Sequence, residues 1–196
     1  MSKKRVLFVC GSMNQTTQMH QIASHLGDYD QWFTPFFSDG LLGKATDLGM
    51  LEFTIMGKKR SGRAVDYLIA NDMKIDVGGI LHPYDLVVTC TDLIVPKHFR
   101  KKRLVLVQEG MTEPETILYH LARNFRWVPR WIAGTATTGL SDAYDRFCVA
   151  SEGYRDVFIG KGVNPEKIEV TSIPNFDDCA RYLGNDFPHR DYVLVC

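Results

Sequence analysis

At 196 residues, 45% hydrophobic and 23% charged, the chain has the size and composition of one folded domain and is too apolar for intrinsic disorder. Twenty-three Lys plus Arg offset 23 Asp plus Glu, so no net field draws it to nucleic acid or an anionic surface, and no nucleic-acid partner is expected. No run approaches the ~18 apolar residues of a membrane span, and the apolar start, Val6 to Cys10, is too short for a signal-peptide core.

The first predicted element is a strand over Arg5–Cys10 (RVLFVC), which turns through Gly11 and Ser12 into a helix over Thr17–Leu26. A strand over Trp32–Phe37 follows. Residues Leu51–Met56 fit either a further strand or the end of a helix, and Gly62–Asn71 has a helical pattern. Strands over Asp85–Cys90 and Arg103–Val107 flank the one dense basic run, Lys97–Arg103, read as a solvated connector, with a patch for an anionic ligand as the alternative. A helix over Glu113–Phe125 leads to the Thr- and Gly-rich segment Gly134–Gly139, which either borders a cleft or simply connects. Strand Arg146–Ala150, helix Glu152–Gly160 and strand Lys167–Thr171 complete the series.

Strands and helices alternate, and the strands are apolar nearly throughout. Both features predict an α/β fold, Rossmann-like and doubly wound, with a mainly parallel sheet and helices on both faces. Ligands of such sheets bind where loops gather at the strands' carboxyl ends. That rule selects four loops: Gly11–Thr16, Thr91–Pro96, Gln108–Pro114 and Ser151–Gly153.

The sequence closes on a turn-rich stretch, residues 184–190 (GNDFPHR), and a fresh strand pattern, residues 191–196 (DYVLVC). The expected organisation is a domain over residues 1–183, a linker over 184–190, and at 191–196 the first strand of a second, truncated domain. The alternative is an edge strand that completes the first sheet. Five cysteines, at 10, 90, 148, 179 and 196, are odd in number and scattered, with no Cys-x-x-Cys spacing. They read as thiols in a reducing cytoplasm, with no metal site implied.

Cys10 at a strand end raises the question of a phosphatase nucleophile, which requires an arginine six residues on to hold the phosphoryl group. Thr16 stands there, and the loop contains no arginine, so Cys10 reads as a core thiol. Neither the dinucleotide glycine fingerprint nor a Gly-Lys-Ser/Thr phosphate loop is present. The small and polar residues Gly11, Ser12, Asn14, Gln15 and Thr16 either cap a helix or receive the hydroxyls or anion of a ligand. His20 on the first helix reads as surface or packed. Asp28-Tyr29-Asp30 reads as a surface turn, and Phe125, Trp127 and Trp131 as core packing under a helix or, beside two arginines, as aromatics that stack a base or sugar or face a partner.

Four segments carry a resemblance when taken in order. They are YDLVVTCTD (Tyr84–Asp92), RLVLVQEGM (Arg103–Met111), DRFCVASEG (Asp145–Gly153) and KGVNPEKIEVTSIPNFD (Lys161–Asp177). Together they resemble the N-terminal half of GT-B-fold glycosyltransferases, particularly the UDP-N-acetylglucosamine 2-epimerase group. The chain departs from that pattern at Gln108-Glu109-Gly110, where a Glu-Ala-Gly motif is expected. It departs again at Thr171-Ser172, where Thr-Gly is expected, and in lacking basic residues in the opening loop.

The resemblance implies one half of a GT-B architecture, the acceptor side of a cleft, with the donor held mainly by a second domain. It implies a nucleotide-sugar donor as co-substrate and an acceptor of unknown identity, with no cofactor or metal required, and it allows a homodimer. Glu109 and Asp92, at strand ends, are then the catalytic candidates, for general-base or proton-transfer chemistry. Gly11, Ser12, Asn14, Gln15, Thr16, Gly110, Ser151 and Glu152 are the substrate-binding candidates. Each carboxylate also fits a plain solvated or capping role. At the level of the whole chain, the alternatives are a 2-epimerase-like domain and a free-standing binding module without catalysis.

Overall fold

A computed structural model describes residues 3–35, 58–125, 127–177, 179–184 and 188. Strand β1 (Arg5–Cys10) is followed by α1 (Met13–Ser24), β2 (Asp30–Pro35), α2 (Lys58–Ala70), β3 (Leu86–Thr89) and β4 (Arg103–Val107). Then come α3 (Ile117–Asn124), β5 (Arg146–Val149), α4 (Glu152–Lys161) and β6 (Ile168–Val170). The six strands form one all-parallel sheet in the order β2-β1-β3-β4-β5-β6. This is the doubly wound α/β fold expected from the apolar strands.

Alternation along β1 shows why the strand is apolar throughout. Val6, Phe8 and Cys10 join a core with Met19 and Ala23 of α1 and Leu68 of α2, while Leu7 and Val9 join another with Phe147 of β5 and Phe158 of α4. Both faces are covered, so neither parity admits a polar residue. A third, smaller core packs Tyr119 and Ala122 of α3 against Ala133 and Ala136.

Several boundaries differ from those expected, each for a local reason. Helix α1 starts at Met13, four residues early, because Ser12 caps it: the Ser12 hydroxyl accepts from the Gln15 amide and Gln15 Oε1 accepts from the Ser12 amide. Helix α3 starts at Ile117, four residues late, because Thr116 is its cap, accepting from the Tyr119 amide. Residues 134–139 fall in and just beyond two short 3₁₀ turns that meet at Gly134, whose φ of 57° and ψ of −152° admit essentially only glycine. Phe125 and Trp127 are 48% and 80% exposed, which corrects their reading as core residues. The expected continuation of β2 through Phe37, the segment Leu51–Met56 and the strand at 191–196 lie outside the described residues.

Candidate functional site

Strand order reverses between β1 and β3: the chain leaves β1 for β2 on one side and returns to β3 on the other. At the carboxyl ends beside that reversal lies a cleft of about 700 Å³. Gly11, Ser12, Asn14 and Gln15 line it from the β1–α1 loop, and Cys90 and Thr91 from the end of β3. Glu109 and Gly110 border it from the end of β4, and Trp131, Thr135 and Thr138 from the 3₁₀ segment.

Glu109 is its half-buried centre. Its Oε1 accepts from Ser12 Oγ and Asn14 Nδ2, both at 3.2 Å, and its Oε2 accepts from Gln15 Nε2 at 2.6 Å. Ser12 and Gln15 are also the two halves of the α1 capping box, so the structure that starts the helix also holds the carboxylate. Asn14 is steadied in turn by Asn175, whose Nδ2 donates to Asn14 Oδ1 over 3.0 Å.

Beneath the cleft runs a chain of buried amides. The Cys90 thiol donates to Gln18 Oε1, and Gln18 Nε2 donates to the Gln108 carbonyl at 2.9 Å. Gln108 Nε2 then donates to the Gly110 carbonyl at 2.8 Å, and Gln108 Oε1 accepts from the Ala150 amide at 2.9 Å. Gln18 and Gln108 are almost fully buried, and their bonds tie α1 and the ends of β3, β4 and β5 together under Glu109. Sequence reasoning missed both. The available signal was position: Gln18 stands three residues after Gln15 on one helix face, and Gln108 directly precedes Glu109 just past β4.

The other candidates are placed elsewhere. Asp92 is 1% exposed and does not line the cleft; its Oδ1 accepts from the Gly139 amide at 2.9 Å and its Oδ2 from the Ser141 amide at 3.0 Å. Burial pushes its carboxyl upward from the ordinary range, while those amides, the Ser141 hydroxyl and the Arg130 charge pull the other way. Both oxygens are spent on pinning a loop, which separates Asp92 from Glu109 in role. Thr16 is buried and donates to the Ser12 carbonyl at 2.8 Å. Ser151 is the cap of α4, accepting from the Tyr154 amide, and exposed Glu152 pairs with Arg155.

His20 bonds Tyr67 at 2.8 Å rather than a ligand. Cys10 is buried, and burial pushes its thiol up to about 12, so it holds no thiolate for nucleophilic work. Among the described residues, no helix is long and apolar enough to cross a membrane, and no group of three or more His, Cys, Asp or Glu could hold a metal ion.

The β1–α1 loop at Glu109 therefore offers a fixed carboxylate flanked by hydroxyl and amide groups. Such a set suits a ligand rich in hydroxyls. Comparison with protein-family models and with curated proteins finds no match. Among solved structures, the chain is similar to Anabaena Alr3699/HepE in complex with UDP and glucose, at 15% identity and a TM-score of 0.48. That similarity covers 87% of this chain and 44% of the other, so the chain spans less than half the length of that protein.

Proposed function

We propose that residues 1–183 are the acceptor-side domain of a nucleotide-sugar-dependent glycosyltransferase, working with a donor-binding domain that begins near residue 191. The observation that carries this reading is Glu109, held at the cleft by Ser12, Asn14 and Gln15. A carboxylate has about four acceptor positions. Three are taken by these donors, and the fourth is left for an acceptor hydroxyl. As that hydroxyl attacks the anomeric carbon of the donor sugar, Glu109 takes its proton and the nucleotide diphosphate leaves. A well-placed base of this kind contributes roughly 10²- to 10⁴-fold. The order of the four sequence segments supports the same reading. A reducing cytoplasm is the compartment that goes with Cys10 and Cys90 as buried free thiols.

The test is release of UDP from UDP-glucose by the intact protein with a panel of mono- and oligosaccharide acceptors. Glu109→Gln is expected to lower turnover about 10²-fold or more while circular dichroism and the melting temperature show a folded domain. Unchanged turnover removes Glu109 from the mechanism. If UDP-N-acetylglucosamine is instead converted to its 2-epimer, the epimerase reading replaces this one. If nucleotide-sugars are neither consumed nor converted, the domain is a binding module.

A further inference from the structure

A second cavity, of about 750 Å³, shares Leu93, Ile94 and Trp131 with the cleft. Its chemistry is different. Four cationic side chains line it: Arg100, Arg123, Arg130 and Lys161. Asp92 is the one carboxylate among its described lining residues, and both Asp92 oxygens are occupied by backbone amides. Among the described residues, none of the four cations is within ion-pair distance of a carboxylate.

Three of the four are anchored through neutral groups, and Arg123 is exposed at the rim. Arg100 Nε donates to the Val95 carbonyl at 3.2 Å and Arg130 Nη1 to the Leu140 carbonyl at 2.8 Å. A guanidinium has five N–H donors, so each anchor leaves most of the fork available. Lys161 is 5% exposed, and its Nζ donates to the Ala136 carbonyl at 3.1 Å and Thr112 Oγ1 at 3.5 Å. It also lies over the Tyr119 and Phe158 rings. Burial holds its ammonium below the ordinary lysine range, with Glu115 acting in the opposite direction. A buried cation with only neutral partners is costly, and an entering anion removes that cost.

We propose that this cavity binds the phosphoryl group of a ligand through Arg100, Arg123, Arg130 and Lys161. Guanidinium forks match phosphoryl oxygens in geometry, and a buried ammonium adds a point charge. The phosphoryl group has two sources: a free phosphorylated small molecule or the headgroup of an anionic lipid. The second arises because Phe125 and Trp127, strongly exposed, lie in the chain between Arg123 and Arg130, and Ile117 and Leu121 of α3 are exposed as well. The proposal does not rest on glycosyl transfer, and its test uses no turnover.

Sodium pyrophosphate is titrated into the full chain by calorimetry at about 150 mM salt, where diffuse surface binding is screened. In parallel, the protein is sedimented with phosphatidylcholine vesicles, with and without phosphatidic acid. Saturable pyrophosphate binding that falls about tenfold in Arg123→Gln, and not in the control Arg155→Gln, supports the site and a free ligand. Sedimentation that requires phosphatidic acid and is lost in Arg123→Gln supports it and a lipid source. Lys161→Met is expected to abolish either signal; should it fail to fold, Arg123→Gln alone decides. No binding in either arm overturns the proposal, as does binding that Arg123→Gln leaves unchanged or that neutral vesicles reproduce.

Discussion

Gln15 of α1 donates its Nε2 hydrogen to Glu109 Oε2 across 2.6 Å, joining residues 94 apart in the chain. The same side chain closes the capping box with Ser12. The first helix and the cleft carboxylate are thus secured by one glutamine, which is itself almost fully buried.

Gln15→Met keeps the volume and removes both bonds. Losing the side-chain half of the capping box and a hydrogen bond to a charged group together costs about 2 kcal/mol, while Ser12 still caps the helix through the Gln15 amide. Urea denaturation is the measurement. A loss under about 0.5 kcal/mol, the size of an ordinary surface change, means the clamp does not form in solution.

Two backbone positions predict changes of opposite sign. A Cβ on Gly134 enters the Glu113 carboxylate, and the residue's positive φ strains any side chain, so Gly134→Ala is expected to destabilise by about 2–3 kcal/mol. Ser172 sits at φ 65°, a conformation glycine adopts readily. Ser172→Gly is therefore expected to stabilise by about 0.5–1 kcal/mol. Chemical denaturation of both variants checks the pair.

Two aspartates give the stability–pH curve opposing slopes. Asp92 has a folded pKa raised by burial, so the unfolded chain releases this proton first as pH climbs past about 4. Stability then falls until the folded form ionises as well. The Lys74 hydrogen bond, with help from Arg5, holds Asp30 down to about 2 against the opposing effect of burial. Its contribution is present above about pH 4 and lost as pH drops toward 2. Asp92→Asn should remove the decline above pH 4, and Asp30→Asn the loss below it. Urea titrations from about pH 2 to 7 read both; an Asp92→Asn profile parallel to wild type contradicts the assignment.

Thiol accessibility separates the cysteines. Cys10 and Cys90 are buried and burial raises both thiols, whereas Cys179 is exposed. Iodoacetamide on the native protein is expected to label Cys179, and Cys10 and Cys90 only after unfolding, as read by peptide mass spectrometry. Rapid native labelling of Cys10 would reinstate the activated thiol that its position at a strand end first suggests.

Strand content, the parallel α/β fold and three of the four loops expected at a cleft were legible from residue order, because apolar run length and helix–strand alternation are local properties. β1 and β4 have the predicted ends, and Glu109 stands where a strand-end carboxylate was sought. The tertiary structure alone decided which strand ends meet. Placing β3 beside β1 brought Glu109 to Ser12, Asn14 and Gln15, sent Asp92 to the Gly139–Ser141 loop, and left Ser151 and Glu152 outside the cleft lining. It also brought Arg100 of the basic run together with Arg123, Arg130 and Lys161 around one cavity. The physical reason is the same in each case. A side chain's hydrogen-bond partners and its distance from water depend on strand order and crossovers, which bring together residues far apart in the chain.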